Sequence, residues 1–129
     1  MNTVQDNLMY CDLVSVNGII HKVGVDGNCF RIVDAEGIPL TPEILEKNGF
    51  YDRNTQWYYK RFGSYVCFDI AISLVYREIE VSKICGAGTD CEEEEYGSSI
   101  VFGNDICVHT LQHALRLCGL NELADNFKV

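Results

Sequence analysis

His109 and His113 stand four residues apart in VHTLQH, a spacing that puts both imidazoles on one side of a helical turn and within reach of one metal ion. A metal centre built on such a pair needs a third and usually a fourth ligand. The neighbouring residues argue against one. No glutamate follows His109 as in the zinc-protease pattern, and Arg116, three residues beyond His113, sets a permanent cation beside the ion. Cys85, Cys91 and Cys107 together with His109 have the residue types of a structural zinc set but lack a C-x-x-C knuckle to nucleate it. No metal or other cofactor is therefore expected. Should one bind, His109 and His113 are the candidate ligands. A nucleophilic thiol would need a neighbouring base, and no cysteine stands in a recognisable catalytic context, so no catalytic residue is assigned. That Cys107 and His109 are close in sequence does not make them close in the fold.

Two other stretches carry chemistry-bearing residues. In WYYKRF, Trp57, Tyr59 and Arg61 alternate with other aromatic and basic residues as in a stacking platform for single-stranded nucleic acid. Cross-strand aromatic pairs that only stabilise a sheet have the same signature. The acidic run DCEEEEYG lacks the alternating ligands and turn glycine of a calcium loop, so it is expected to be a solvated surface feature.

The elements that must position these residues are readable from turn and cap signals. Asn17-Gly18 and Asp26-Gly27 separate the β-branched runs DLVSV, IIHKVGV and NCFRIV, which predicts a three-stranded antiparallel meander, with a small SH3-like barrel as one possible form. His21 falls inside its second strand. Thr41 as cap, Pro42 at the first helical position and Gly49-Phe50 as closure predict a helix of about two turns. Further antiparallel strands are expected over 56–62, 65–70 and 73–81, with a break near Ala71 and a short strand at 100–102. The stretch from Cys85 to Ser99 has three glycines and a charge run without periodicity, which predicts an exposed, mobile acidic loop. A last helix begins near Asn104 or Asp105, with Val108, Leu111, Leu115 and Cys118 as its buried stripe and His109, Gln112, His113 and Arg116 on a polar, exposed face. Gly119 and Leu120 close it, and Asn121 caps a final turn. The fold class that follows is α+β, with one domain over 1–129.

Composition narrows the functional classes. Of 129 residues 47% are hydrophobic and 22% charged, the balance of a folded globular chain. No apolar run approaches the roughly 18 residues of a membrane span, the start lacks a secretory pattern, and seven cysteines in an odd number suit a reducing compartment. A cytoplasmic protein is expected, without membrane contact. The net charge of −9 disfavours nucleic acid as a partner. Asp90 and Glu92 to Glu95 contribute more than half of that excess.

In IPLTPEILEKNGF and VHTLQHALRLCGL the chain resembles uncharacterised small proteins encoded by phages, prophages and mobile elements of anaerobic gut bacteria. Those proteins combine a G-x-I-x-K-V strand region, a P-L-T-x-E-x-L-x-K-x-G-F helix and a V-H-x-L-Q helix, matched here by Gly18 to Val23, Pro39 to Phe50 and Val108 to Gln112. The resemblance implies no known activity, and the acidic stretch 85–99 lies outside its pattern. With no catalytic constellation in the sequence, it points to a noncatalytic accessory or interaction protein of a mobile element, with a protein partner. Two alternatives stay open: a small enzyme whose pocket gathers dispersed His and Cys residues, and a single-stranded nucleic-acid binder using the Trp57–Phe62 strand.

Overall fold

The computed structural model describes residues 8–9, 11–24, 35–54 and 56–129. In chain order its elements are β1 (Leu13–Val16), β2 (Ile19–Lys22), β3 (Glu36–Gly37), α1 (Pro42–Lys47), β4 (Tyr51–Asn54), β5 (Trp57–Gly63), β6 (Val66–Ser73), β7 (Glu78–Cys85), β8 (Glu93–Val101), α2 (Val108–Leu117) and α3 (Asn121–Asp125). The architecture is α+β. The chain divides into two units, one made of Met1–Leu40 and Ile106–Val129, the other of Thr41–Asp105.

In the first unit, Asn17 and Gly18 both take positive φ (51° and 79°), the geometry a two-residue hairpin needs, and Val16 then lies opposite Ile19. β3 pairs with the other side of β1, so the described strands form an open sheet in the order β2-β1-β3 rather than a closed barrel. The expected strand over 28–33 and its Asp26-Gly27 turn lie outside the described residues. Val14, Val23 and Ala35 are fully buried at the centre of this sheet's core. α2 packs on β1 and α3. It starts later than the sequence signals suggested. Cys107, not Asn104 or Asp105, is the cap residue, and it makes no side-chain cap. The backbone at 38–40 substitutes: Ile38 O accepts from Val108 N at 2.7 Å, and Ile106 O accepts from Leu40 N at 3.0 Å. An orphan amide of the helix start is thus satisfied by another chain segment. At the far end Gly119 (φ 79°) and the Leu120 N to Leu115 O bond of 2.9 Å make the expected Schellman closure. Leu120, not Asn121, then occupies the cap of α3.

In the second unit α1 forms as its signals direct: Thr41 Oγ1 accepts from Ile44 N, and Phe50 N donates to Leu45 O after Gly49 turns at φ 85°. The strands make one antiparallel meander, β4-β5-β6-β7-β8. Three boundaries differ from expectation. Tyr51–Asn54 is a strand of its own, β6 runs through Ala71 to Ser73, and the break falls at the following turn, where Ser73 Oγ accepts from Tyr76 N and Arg77 takes φ 53°. Leu74, Val75 and Tyr76 are strand-formers by type, which masks that turn in the sequence. The third difference is the acidic stretch. It is exposed from Gly88 on, but only residues 86–92 are a connecting loop, because Glu93–Val101 is the nine-residue strand β8 laddered to β7 from Glu78↔Val101 to Cys85↔Glu93 with a register shift between Lys83 and Ile84. Pairing with β7 overrides the poor strand propensity of glutamate and glycine.

Opposed residues in this register share a face. Lys60, Phe62, Phe68, Ile70, Ile72, Ile79 and Val81 fall on one, and Tyr59, Arg61, Asp69, Glu80 and Ser82 on the other. Ile70, Ile72 and Ile79 are buried, and Phe50 meets Phe62 edge-on at 5.9 Å. Burying each such side chain contributes about 1.5–3 kcal/mol, whereas the exposed Arg61–Asp69 pair adds about 0.2–1 kcal/mol. Apolar burial decides the stability of the sheet.

The first unit's core is testable at α2. Leu111 and Leu115 are buried while Leu117 is 86% exposed, so Leu111→Ala and Leu115→Ala should each cost about 2–5 kcal/mol in urea denaturation and Leu117→Ala no more than about 0.5 kcal/mol.

Candidate functional site

Asp12, just before β1, has no exposed surface at all. A bare carboxylate there would be costly, and the structure surrounds it with donors. Met9 N donates to Oδ2 at 2.7 Å, His113 Nε2 lies 2.6 Å from the same oxygen, and Arg116 Nη1 donates to Oδ1 at 2.5 Å. Burial works to raise the Asp12 pKa, but the bonds from His113, Arg116 and the Met9 amide outweigh it and hold the carboxyl below its usual range. An ionised carboxylate only accepts, so His113 Nε2 is the protonated nitrogen. Arg116 also donates through Nη2 to Asp125 Oδ1 at 3.2 Å, which ties α3 into the cluster.

Gln112 is equally buried and uses its amide fully. Its Oε1 accepts from Leu13 N, and its Nε2 donates to Cys11 O and Ala124 O, each at 2.9 Å. One side chain therefore joins β1, α2 and α3.

The histidines depart from the expected exposed face. His109 is 8% exposed and His113 half-buried. At about 100° per residue, Gln112 lies about 40° and Arg116 about 80° around the helix from Val108, beside the apolar stripe rather than opposite it. Docking on Asp12 buries that flank. The two imidazoles meet edge to face at 5.7 Å, and His109 Nδ1 is buried without a hydrogen-bond partner among the described residues. Burial pushes the His109 pKa below its usual value, and the proximity of His113 adds to the effect against the pull of Asp12. Gly37 supplies the wall: a Cβ there would come 2.5 Å from Cys107 Sγ and 3.2 Å from His109 Cε1. The fold thus does bring Cys107 and His109 to the same backbone position. Among the described residues no group of three or more His, Cys, Asp or Glu side chains converges as a metal site.

Beside the cluster runs a groove of about 580 Å³ lined by Met9, His113, Arg116, Leu117, Asn121 and Asp125. Arg116 is committed to Asp12 and Asp125, so the charges along the groove are matched within the protein. Its open chemistry is an apolar rim of Met9 and Leu117 and the exposed side of His113.

On the five-stranded sheet, Trp57, Tyr59 and Arg61 share one face as their alternation predicts. Arg53 stacks on Tyr59 at 4.4 Å, Trp57 lies 6.4 Å from Tyr76, and the Arg61 fork closes on Asp69 with bonds of 2.6 and 2.8 Å. The same face carries Glu78, Glu80 and Glu94. Burial, and then the hydrogen bond and charge of Glu78, raise the Glu80 pKa, which reports how closely these carboxylates crowd. No described strand lies beyond β8, and all nine of its residues are exposed.

No known protein family, curated protein or solved structure matches this chain. No described helix is long and apolar enough to cross a membrane.

Two outcomes test the cluster. Asp12→Ala leaves the Arg116 cation without its buried partner and should destabilise by about 3–5 kcal/mol, and Gln112→Ala, which orphans the Leu13 amide, should also unfold at clearly lower urea. The second concerns pH. His109 has a lowered folded-state pKa, so the unfolded chain takes up its proton first; stability should be full above about pH 6.5 and fall as pH drops below it. His109→Gln should flatten that part of a denaturation-against-pH curve.

Proposed function

We propose that this chain is a noncatalytic interaction protein, an accessory factor of a mobile genetic element whose partner is another protein. The observation that carries the reading is how the buried polar cluster around Asp12 is used. Asp12, Gln112 and Arg116 direct their donors and acceptors at one another and at the backbone, as a lock between β1, α2 and α3 does, while a reaction centre needs groups aimed at a substrate. The surface left for recognition is of a different kind: Tyr96, Ile100 and Val101 on β8 are 46–68% exposed next to a run of glutamates. Assignment to a mobile element rests on the resemblance of the Pro39–Phe50 and Val108–Gln112 motifs.

A second reading, a small enzyme, draws on His113 and on the Cys107–His109 approach, since His113 borders a groove large enough for a small molecule. Nucleic acid is a weaker partner, because Arg61 is held by Asp69 within a carboxylate-rich face.

The test is photo-crosslinking of the full chain in a host carrying the element, from Ile100 on β8 and from Lys47 on α1 as a control position. One discrete protein adduct at Ile100, re-formed from the two purified chains at micromolar affinity or better, is the expected result. Turnover of a small substrate that His113→Gln abolishes, with no such complex, would establish the enzyme instead.

A further inference from the structure

We infer that β8 is a docking edge for an extended segment of the partner protein, one that adds a sixth strand antiparallel to it, with β-branched apolar residues in its first half and lysines or arginines in its second. The inference rests on the proposed interaction role and specifies the surface and chemistry that serve it.

The backbone geometry supplies the first part of the argument. Phe102 N donates to Arg77 O at 2.8 Å, just beyond the last strand pair Glu78↔Val101. In an antiparallel ladder the residues of one strand alternate between facing their partner and facing away. Ile100, Ser98 and Tyr96 therefore bond to β7, and Val101, Ser99 and Gly97 present their amides and carbonyls outward. Three consecutive outward positions on a nine-residue strand make a template for strand addition. The opposite edge is shorter, since β4 has four residues with a register break between Asp52 and Asn54, whereas the irregularity of β8 falls at Glu95 and leaves Gly97 to Val101 in continuous register.

Side chains choose the occupant. β8 is divided along its length, with Glu93, Glu94 and Glu95 at its start and Ile100 and Val101 at its end. Glu95 is engaged by Lys83 at 2.8 Å and by Cys85, whereas Glu94 folds over Gly97, where a Cβ would come 2.6 Å from its Oε1. Glu93 and Glu94 stand next to the free edge, on opposite faces of the strand, in a chain of net charge −9. A second copy added antiparallel would set its Ile100 and Val101 beside Glu93 and Glu94 and leave the carboxylates at both ends unmatched, which disfavours self-pairing. A basic segment is attracted by the same charges. In antiparallel register its basic half meets Glu93 and Glu94 and its apolar half meets Ile100 and Val101.

The probe is a synthetic peptide of about ten residues, valine and isoleucine first and lysine last, added to the full chain, with a glutamate-for-lysine peptide as control. The lysine peptide should bind, weaken as salt rises, and protect the Gly97, Ser99 and Val101 amides from hydrogen exchange. Ser99→Pro removes one outward donor while leaving the β7 ladder intact, and should reduce binding at least tenfold with an unchanged circular dichroism spectrum. Glu93→Lys with Glu94→Lys, which leaves the backbone donors in place, should reverse the preference toward the glutamate peptide. Unchanged binding by both variants, or protection elsewhere than β8, would overturn the inference. So would a reconstituted partner complex that crosslinks only from another surface, an outcome that leaves the interaction role standing.

Discussion

A carboxylate with no solvent contact has to be matched by donors, and beside the Met9 amide the donors that match Asp12 come from residues 101 and 104 positions away in the chain. This requirement organises the first unit. Once His113 and Arg116 are drawn to Asp12, the register of α2 on β1 is set, Gln112 reaches Cys11, Leu13 and Ala124, and Arg116 fastens Asp125 of α3. Apolar burial at Leu111 and Leu115 supplies most of the energy, but it tolerates sliding and rotation. The charged and amide contacts do not, because any shift leaves a buried polar group unpaired.

The topology makes this contact more demanding. Thr41–Asp105 forms a unit between the two segments that the lock joins. Closing so long a loop costs only slightly more than closing a short one, since the entropy grows with the logarithm of length. The paired backbone at 38–40 and 106–108 brings the entry and exit of the inserted segment together. A meander of consecutive strands suits that position, because its pairings are local and its ends need no threading.

The two units differ in how their polar residues are used. In the first, charge is buried and spent on positioning. In the second, charge lies on an exposed sheet face and at its edge, where Arg61 and Lys83 pair with only part of the acidic excess. Those carboxylates stand on the same strand as the exposed Tyr96, Ile100 and Val101.

The local signals were legible in the sequence alone: the Asn17-Gly18 hairpin, the Thr41-Pro42 start and Gly49 closure of α1, the Gly119 end of α2 and the α+β class. Each depends on backbone conformations that a few neighbouring residues dictate. The strand that carries Trp57, Tyr59 and Arg61 was legible as well. Other features became visible only in the tertiary structure. Glu93–Val101 is a strand because β7 offers it partners, against its own composition; the break after Ser73 is hidden among strand-forming residues. His109 and Gln112 are buried because their flank of α2 docks on Asp12, a residue that reads in the sequence as an ordinary polar start to a strand. Helical periodicity gives the angle between side chains around an axis. Which arc of that circle meets protein, and which meets water, depends on a partner a hundred residues away.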